Sequence, residues 1–390
     1  MNIAMFTDSY TPYISGVVRS IQRFSRGLTA LGHNVYIFAP QYPYQDLTDD
    51  DEQDAAKVFR FHSFPAPTCP SYALPIPISL KADRLIRTLG IDLIHTHSPF
   101  ITGQWGAILA RRHSIPLVFT HHTRYQEYSH YVPGPKRLTQ QMITSYLKRY
   151  FRHCDHLITP TESIKQYLLE LYQIHKPITI VPTGIDLAKY EWADPEWLFN
   201  NYQIPKHKQI MLYVGRLSQE KNPRLILEAF LQLNQLIPEL HLVFVGDGPE
   251  KKSLIKTAAA HGLAQKVTFT GALNAAEVIH CYSGADLFVF SSTTETQGLV
   301  LIEAMAGGVP VVAVKATGSI ESVIHGYNGF LTDNSAADLA AKAQLILTNH
   351  ILQKQMQSNA LKTAQQYSIE NTSRQLVEVY HQTLTQAKVG

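Results

Sequence analysis

The sequence predicts an α/β protein of two domains, each built on a parallel β-sheet with helices on both faces. The chain has 390 residues, which exceeds the usual size of a single domain. Short apolar runs typical of buried strands alternate with segments of helical periodicity along most of the chain. Both halves also open in the same order, with a strand, a glycine-containing loop and a helix.

The strand candidates form two series, and each series alternates with helical segments as in doubly wound, Rossmann-like domains. The first series comprises 2–6, 34–38, 93–95, 116–120, 156–159 and 178–181. The second comprises 210–214, 241–245, 267–269, 287–290 and 309–313. We predict loops at 46–53 and 65–77, and an amphipathic helix at 369–384. Turn-forming residues at 182–186 predict the boundary between domains, at 1–183 and 184–368.

Composition argues against several classes of protein. The apolar content of 45% is ordinary for a globular chain, and no apolar run is long enough to cross a bilayer. Met1–Asp8 has no basic region, which favours a first strand over a signal peptide. The three cysteines, Cys69, Cys154 and Cys281, lack disulfide or metal-ligand spacing, so we expect a reducing cytoplasm.

Charge is nearly balanced overall but unevenly distributed. Residues 1–180 carry 18 Lys and Arg against 13 Asp and Glu, whereas residues 181–390 carry 16 against 18. Six of the acids in the first part lie within 46–54. The basic remainder of the first domain favours an anionic partner surface.

Two carboxylates, Glu295 and Glu303, frame the most informative segment. Glu295 lies in a polar turn with Gly298, and Glu303 lies within Leu299–Met305, a pattern that predicts a buried helix. A buried Glu is costly unless a polar group meets it, and a sugar hydroxyl is a suitable partner. For each Glu alone, a structural role is the alternative: Glu295 caps the helix and Glu303 satisfies a backbone group.

Arg216 and Lys221 lie on the loop that follows the predicted strand 210–214. Ligands bind at this carboxyl edge of doubly wound sheets, and an Arg with a Lys supplies donors for a diphosphate without a metal. The alternative is a solvated basic loop. Gly246, Gly271 and Gly16 follow other strands, where glycine allows close backbone approach to a ligand or simply makes an ordinary turn.

Histidines cluster after two predicted strands of the first domain. His95 and His97 close one strand, and His121 and His122 follow another. Zinc is one interpretation, but no carboxylate or third ligand has suitable spacing. A second interpretation gives these histidines a structural role or leaves them in solvent.

An aromatic stretch and a basic segment follow the second histidine pair. The aromatic stretch either shapes a binding site for a second substrate, the acceptor, or packs at a domain edge. It contains Tyr125, Tyr128, His130 and Tyr131. The segment 136–152 has helical apolar spacing with no acid and five cations: Lys136, Arg137, Lys148, Arg149 and Arg152. Such a helix lies in an anionic membrane interface, or else packs its apolar stripe in the core with the charges in solvent.

Taken in order from Gly16 to Glu303, these motifs resemble the family 4 retaining glycosyltransferases, whose signature is two glutamates with seven residues between them. The resemblance implies the GT-B fold, with two Rossmann-like domains facing across a cleft and a terminal helix crossing back onto the first domain, here 369–390. It implies hexosyl transfer from a nucleotide-sugar without a metal or other cofactor.

The resemblance also implies roles for these residues. Glu295 lies near the donor sugar and phosphates, Glu303 binds the ribose, and His122, preferred over His121, lies beside the sugar. The implied catalytic residues are His122, Glu295, Arg216 and Lys221. The implied donor-binding residues are Gly16, Val17, Arg216, Lys221, Gly246, Gly271, Gln297, Gly298, Leu299 and Glu303.

The motifs H-H-T-x-Y, P-T-G-I-D and T-E-T-Q-G-L-V, with the basic segment, resemble the branch that glucosylates diacylglycerol. This implies UDP-glucose as donor, a lipid acceptor at the anionic inner face of the cell membrane, and no nucleic-acid partner. The implied acceptor and membrane residues are Tyr125, Tyr128, His130, Lys136, Arg137, Lys148, Arg149 and Arg152. The alternatives are transfer in lipopolysaccharide or capsule assembly, mannosyl transfer from a GDP-sugar to phosphatidylinositol, a nucleotide-sugar-binding module without catalysis, and a 2-epimerase, against which the glutamate pair argues.

Overall fold

A computed structural model describes residues 1–13, 15–42, 56–66, 69–76, 79–126 and 135–389. The chain divides into two units. The first unit is Met1–Gly184 with Ile369–Gly390, and the second unit is Ile185–Ser368. The division therefore falls after Gly184, whereas the sequence predicted it after residue 183.

The first unit is built on a parallel sheet. Its described strands are β1 (Asn2–Phe6), β2 (Asn34–Pro40), β3 (Lys57–Phe61), β4 (Ser63–Ala66), β5 (Cys69–Pro75), β6 (Leu93–Thr96), β7 (Leu117–Thr120), β8 (His156–Thr159) and β9 (Ile178–Ile180). Seven of these form one sheet in the order β3-β2-β1-β6-β7-β8-β9, and β4 and β5 form a separate hairpin. The strand order reverses at β1 and β6, so the loops after these strands lie side by side at the carboxyl edge.

Helices connect the parallel strands of the first unit. They are α1 (Gly16–Ala30), α2 (Leu80–Thr88), α3 (Ile101–His113), α4 (Lys136–His153) and α5 (Glu162–Tyr172). Local capping fixes where three of them start. The hydroxyls of Ser15, Ser79 and Thr161 accept from the backbone N–H groups of Val18 in α1, Ala82 in α2 and Ile164 in α5.

The second unit repeats the plan. Its strands are β10 (Gln209–Val214), β11 (Leu240–Val245), β12 (Val267–Gly271), β13 (Leu287–Phe290), β14 (Val311–Val314) and β15 (Gly329–Thr332). They form a six-stranded parallel sheet in the order β12-β11-β10-β13-β14-β15. Here the order reverses at β10 and β13, so the loops after these two strands are neighbours.

Seven α-helices of the second unit lie among the described residues, the first of them before β10. They are α6 (Trp197–Tyr202), α7 (Pro223–Leu236), α8 (Lys251–Ala260), α9 (Ala275–Ser283), α10 (Leu299–Ala306), α11 (Ala336–Thr348) and α12 (His350–Gln366). The predicted buried helix at Leu299–Met305 is observed as α10, which ends at Ala306.

The last helix, α13 (Ile369–Val389), belongs to the first unit. It packs Leu376, Val379 and Tyr380 into the same core as residues of β1 and α1. Gly27 of α1 makes the close approach possible, because a Cβ there would lie 2.0 Å from the Ser373 hydroxyl oxygen. The predicted return of the terminal helix to the first domain is confirmed.

The predicted loop at 65–77 is wrong, because most of it belongs to the β4–β5 hairpin. Prolines weaken the strand pattern of this hairpin in the sequence, yet in the structure Pro65 pairs with Ala73, and Ser63 pairs with Pro75. A two-stranded hairpin has only edge strands, which tolerate the missing proline N–H. The predicted loop at 46–53 lies outside the described residues.

The fold class predicted from the sequence is confirmed. Both units are doubly wound parallel sheets with helices in the connections, as in Rossmann-like domains of the GT-B class. The carboxyl edges at β1/β6 and at β10/β13 are the places where this fold class binds ligands.

Candidate active site

The loop between β10 and α7 carries Arg216 and Lys221 and is held from both ends. The Tyr213 hydroxyl donates to the Arg216 carbonyl at 3.0 Å. At the other end, the Ser291 hydroxyl lies 2.8 Å from the carbonyls of both Lys221 and Asn222. Ser291 directly follows β13, so this serine ties together the two loops at the reversal point of the sheet. Sequence reasoning missed Ser291.

Lys221 and Glu295 form an ion pair across those two loops. The Lys221 ammonium donates to Glu295 Oε1, and the two side chains are 23% and 29% exposed. Gly318 lies directly behind Glu295, because a Cβ on Gly318 would lie 2.5 Å from the Glu295 Cβ. The structure therefore brings together a cation and a carboxylate that the sequence places 74 positions apart. Because Glu295 pairs with Lys221, the structure does not show the alternative in which Glu295 caps the helix.

Glu303 lies inside α10 and is only 6% exposed. The buried Tyr282 hydroxyl, on α9, donates to Glu303 Oε2 at 3.4 Å. This contact identifies one polar partner for a carboxylate on an otherwise apolar helix, and sequence reasoning missed it. The helix places Glu303 about one turn past its first residue, deep beside the carboxyl edge of β13.

The start of α10 gathers three further predicted residues, Gln297, Gly298 and Leu299. Gly298 precedes the helix with a φ of 66° and, being glycine, has no side chain with which to cap α10. A residue other than glycine would be strained there, since its Cβ would also lie 2.9 Å from the Gly318 carbonyl oxygen. The first amides of this helix are therefore suited to an anion, as at other helix N-termini.

Gly246 and Gly271 lie together at the ends of β11 and β12. The Gly246 N–H donates to the Gly271 carbonyl at 2.8 Å. Gly246 has a φ of 133°, and a Cβ there would lie 2.1 Å from the Gly215 carbonyl oxygen. The loop after β10 and the loop after β11 thus touch through backbone atoms at Gly215 and Gly246.

In the first unit, Gly16 and Val17 form the first residues of α1, where Ser15 caps the helix through Val18 N–H. A Cβ on Gly16 would meet no atom of the described residues within 4 Å. Gly16 is exposed and Val17 is half-buried.

The histidines after β6 and β7 form a buried cluster in the first unit. His97 Nδ1 lies 3.0 Å from His122 Nε2. The His95 and His97 ring centroids lie 4.1 Å apart, with the two rings tilted by 36°. His95 itself hydrogen-bonds the Tyr380 hydroxyl at 2.6 Å and the Thr120 hydroxyl at 2.7 Å. His122 is the half-buried member of the cluster, whereas His95, His97 and His121 are fully buried.

Burial keeps these histidines neutral at ordinary pH. It lowers the pKa of His122 to about 4, and the pKa values of His95 and His121 to about 3. The pKa of His97 also lies well below its usual range, chiefly because of burial and then because of its neighbours His95 and His122. A neutral imidazole has one donor and one acceptor nitrogen, so these rings act through hydrogen bonds.

His121 has a different environment from its neighbour. Its ring makes edge contacts with Phe119, Tyr125 and Phe151 at centroid distances of 6.0, 5.4 and 5.9 Å. Neither ring nitrogen has a hydrogen-bond partner among the described residues. The position of His121 in an aromatic enclosure favours His122 as the residue that meets a ligand.

Tyr125 packs against His121 and also against Phe100, at a centroid distance of 5.1 Å. The contacts of Tyr125 therefore match the interpretation that gives this tyrosine a packing role. The other residues predicted with it, Tyr128, His130 and Tyr131, lie outside the described residues.

The basic segment folds as α4, and its two ends have different surroundings. Leu147, Tyr150 and Phe151 are buried in the core of the first unit. Leu138 and Met142, one turn apart on one face, are 54% and 65% exposed. Of the five cations, Lys148 is half-buried, and the others are exposed: Lys136, Arg137, Arg149 and Arg152. The buried end fits the interpretation in which the helix packs in the core, and membrane contact of the exposed end stays a prediction.

Metal-ligand clusters and membrane-spanning helices are both absent from the described residues. No group of three or more His, Cys, Asp or Glu side chains in the described part of the chain is arranged to hold a metal ion. None of the helices within the described ranges combines the length and apolar content that a membrane span requires.

Comparisons with known proteins identify relatives of this chain. The profile of the family described as "Glycosyl transferases group 1" matches residues 196–363, and that of "Glycosyltransferase Family 4" matches residues 14–189. The chain is 32% identical over 334 residues to the alpha-monoglucosyldiacylglycerol synthase of Acholeplasma laidlawii, covering 80% of each chain. It is 33% identical over 321 residues to the enzyme of the same name from Streptococcus pneumoniae, covering 80% of this chain and 71% of the relative.

Solved structures share the fold at lower identity. The Anabaena protein Alr3699/HepE in complex with UDP superimposes with a TM-score of 0.78 and 22% identity, covering 98% of this chain and 100% of that one. The same protein in complex with UDP-glucose gives a TM-score of 0.75 and 21% identity, covering 97% and 99%.

Proposed function

The chain belongs to glycosyltransferase family 4 and is a hexosyltransferase, and we propose that it transfers glucose from UDP-glucose to diacylglycerol in a membrane, with retention at the anomeric carbon. As an enzyme, it is not the binding module that the sequence left open. The proposed donor, acceptor and stereochemistry go beyond what family membership establishes.

The donor side of this proposal rests on the Lys221–Glu295 ion pair and on the burial of Glu303. A nucleoside diphosphate needs cations for its phosphates and an acceptor for its ribose hydroxyls. In the proposal Lys221 and Arg216 take the diphosphate, together with the backbone amides at the start of α10. Glu303 takes the ribose, and the glycine turns at Gly246 and Gly271 lie against the nucleotide.

The chemical step is governed by the leaving group. The acceptor hydroxyl oxygen forms a bond to the anomeric carbon while the bond from that carbon to the β-phosphate oxygen breaks. Attack occurs on the face that the phosphate leaves, and the phosphate oxygen receives the hydroxyl proton. Lys221 and Arg216 stabilise the charge that develops on UDP, which is a catalytic contribution as well as a binding one. Glu295 and His122 take the roles that the resemblance implies, as contacts of the transferred sugar.

The acceptor side is supported by the two relatives named as alpha-monoglucosyldiacylglycerol synthases and by α4. Diacylglycerol is confined to membranes, so its enzyme must reach a bilayer surface. The exposed Leu138 and Met142, with the exposed cations of the same helix, combine apolar insertion with attraction to anionic lipid. We place the enzyme at the inner face of the cell membrane, attached peripherally and working without a metal.

UDP release from UDP-glucose is expected to require diacylglycerol in anionic liposomes. A coupled UDP assay with and without the lipid, followed by chromatography of the lipid product, measures this. The Glu295→Ala variant is expected to lose the lipid-dependent release of UDP. The variant Lys252→Ala, at an exposed lysine of the same unit, serves as the control.

Other outcomes would redirect the proposal. Release with GDP-mannose and phosphatidylinositol, or with sugar acceptors of the lipopolysaccharide or capsule type, would replace the proposed donor and acceptor. An α-linked product supports retention, whereas a β-linked product, or a trapped glycosyl–enzyme adduct, contradicts the proposed mechanism.

The double variant Leu138→Glu/Met142→Glu is expected to bind anionic liposomes at least about tenfold more weakly, because it removes two apolar side chains and adds two like charges. Co-sedimentation with liposomes measures the binding. The variant Ile255→Glu is the control, since Ile255 is 44% exposed on α8 of the second unit. Equal loss in both variants, or no loss in the double variant, would contradict docking through α4.

A further inference from the structure

His97 and His122 meet through their ring nitrogens. His97 Nδ1 lies 3.0 Å from His122 Nε2, and the two rings are nearly parallel, with an interplanar angle of 22°. The contact is a consequence of the fold, because β6 and β7 are adjacent parallel strands and both histidines lie just beyond their carboxyl ends. One of the two nitrogens must donate and the other must accept.

The buried second nitrogen of His97 indicates which one donates. His97 is 0% exposed, and its Nε2 has no hydrogen-bond partner among the described residues. If His97 accepted from His122, its own proton would lie on Nε2 as a buried donor with no acceptor. If His97 donates through Nδ1, its Nε2 is only an unused acceptor. Buried unpaired N–H groups are the rarer and costlier case, so His97 Nδ1–H is the donor.

His97 is itself held in place by buried neighbours. Its backbone N–H donates to the Phe6 carbonyl at 2.8 Å. Its ring packs against the His95 ring in a tilted arrangement, at 4.1 Å between centroids. His95 has both nitrogens engaged, with the hydroxyls of Tyr380 on α13 and Thr120 on β7. His97 therefore presents its Nδ1–H from a fixed position.

We propose that His97 is a positioning residue for His122, whose Nε2 accepts from His97 Nδ1–H. His122 consequently has its proton on Nδ1, and the ring is held in one orientation. It can offer a ligand a hydrogen-bond donor from Nδ1, towards a hydroxyl or phosphoryl oxygen, while its Nε2 is occupied. The bond made by one ring nitrogen determines the tautomer of the other in this way. The catalytic part of this inference rests on the proposed role of His122, whereas the tautomer does not.

The test uses the whole protein and separates the two parts. In protein labelled with ¹⁵N-histidine, NMR of the ring nitrogens is expected to show His122 as the Nδ1–H tautomer, with its signals assigned by comparison with His122→Ala. His97→Leu is expected to yield a mixture of His122 tautomers and to lower kcat about tenfold, with KM for UDP-glucose changed less than about twofold. His97→Asn is expected to restore most of kcat, because its side-chain amide nitrogen takes the position of His Nδ1.

His97→Gln and His261→Leu are the controls. The Gln amide reaches towards the Nε2 position and is expected to leave kcat low, whereas His261 is exposed on the second unit and its loss is expected to change nothing. An Nε2–H tautomer of His122 in the unmodified protein, or equal kcat in the Asn and Gln variants, would overturn the proposal. If His97→Leu does not fold, the tautomer of His122 in the unmodified protein and the comparison of kcat between the Asn and Gln variants still test the proposal.

The proposed role of His122 on the sugar can fail even if the proposed tautomer is correct. Full activity in His122→Ala would show that His122 does not act on the sugar, even where NMR finds the expected tautomer. A correct tautomer with activity sensitive to both His97 and His122 supports the two parts together.

Discussion

Lys221→Ala is expected to lower kcat with UDP-glucose about 10²–10³-fold, the usual effect of removing one preorganised donor to a developing anionic charge. Lys221 is fixed for this task, because Ser291 binds the carbonyls of Lys221 and its neighbour Asn222. Its ammonium already faces a carboxylate, that of Glu295. The bound diphosphate would replace or share that carboxylate as the partner of the ammonium.

Unfolding is not expected to explain the loss in Lys221→Ala. The ion pair is partly exposed, and pairs of this kind contribute about 0–1 kcal/mol to stability. Steady-state kinetics should therefore be measured beside the urea midpoint, with Lys252→Ala as the matched variant and Lys221→Arg as the conservative one. A kcat within about threefold of the unmodified enzyme would mean that this is the solvated basic loop that the sequence left as an alternative.

His121→Phe is expected to stabilise the protein at pH 5 by about 2 kcal/mol relative to its effect at pH 7.5. Burial lowers the pKa of His121 to about 3 in the folded state, from a usual value of 6.5. At pH 5 the unfolded state thus binds a proton that the folded state excludes. The contribution of neutral His121 to stability is complete above pH 6.5 and is lost as pH falls towards 3. The phenylalanine side chain does not titrate, so the variant lacks this loss of stability at low pH.

Phenylalanine also suits the surroundings of His121. The ring already lies among Phe119, Tyr125 and Phe151 and makes no hydrogen bond within the described ranges, so the substitution leaves no polar group unpaired. Urea unfolding at both pH values gives the difference, and His175→Phe, at an exposed histidine of the first unit, is the control. Equal effects of His121→Phe at both pH values would contradict a neutral buried imidazole.

The strand positions were predictable because buried parallel strands leave a strong apolar signal. The predicted runs at 2–6, 156–159 and 287–290 coincide with β1, β8 and β13. The segments that escaped prediction are short or interrupted. The β4–β5 hairpin contains prolines, and β15 has four residues and begins with a glycine. At the edge of a sheet such residues are tolerated, and the pattern that marks a central strand is missing.

The candidate site was predictable as a set of residue types but not as a set of contacts. The sequence identified Lys221 and Glu295 from separate motifs, yet their pairing follows from the adjacency of β10 and β13, which depends on strand order. Nothing in the sequence marks Tyr282 as a partner of Glu303. The clusters around His95 and His122 were visible as strand-end histidines, but the hydrogen bond between His97 and His122 depends on the register of β6 and β7.

The position of α13 has a consequence for the nascent chain. Residues 1–184 emerge from the ribosome without Leu376, Val379 and Tyr380, three buried members of their core. At about 5–20 residues per second, synthesis of the intervening residues and α13 takes about 10–40 s. During that interval the β1–α1 face exposes apolar surface that α13 covers in the folded unit. Chaperone demand is therefore expected to peak while the second unit is being made, and newly made chains should become protease-resistant in their first unit only once α13 is free of the exit tunnel.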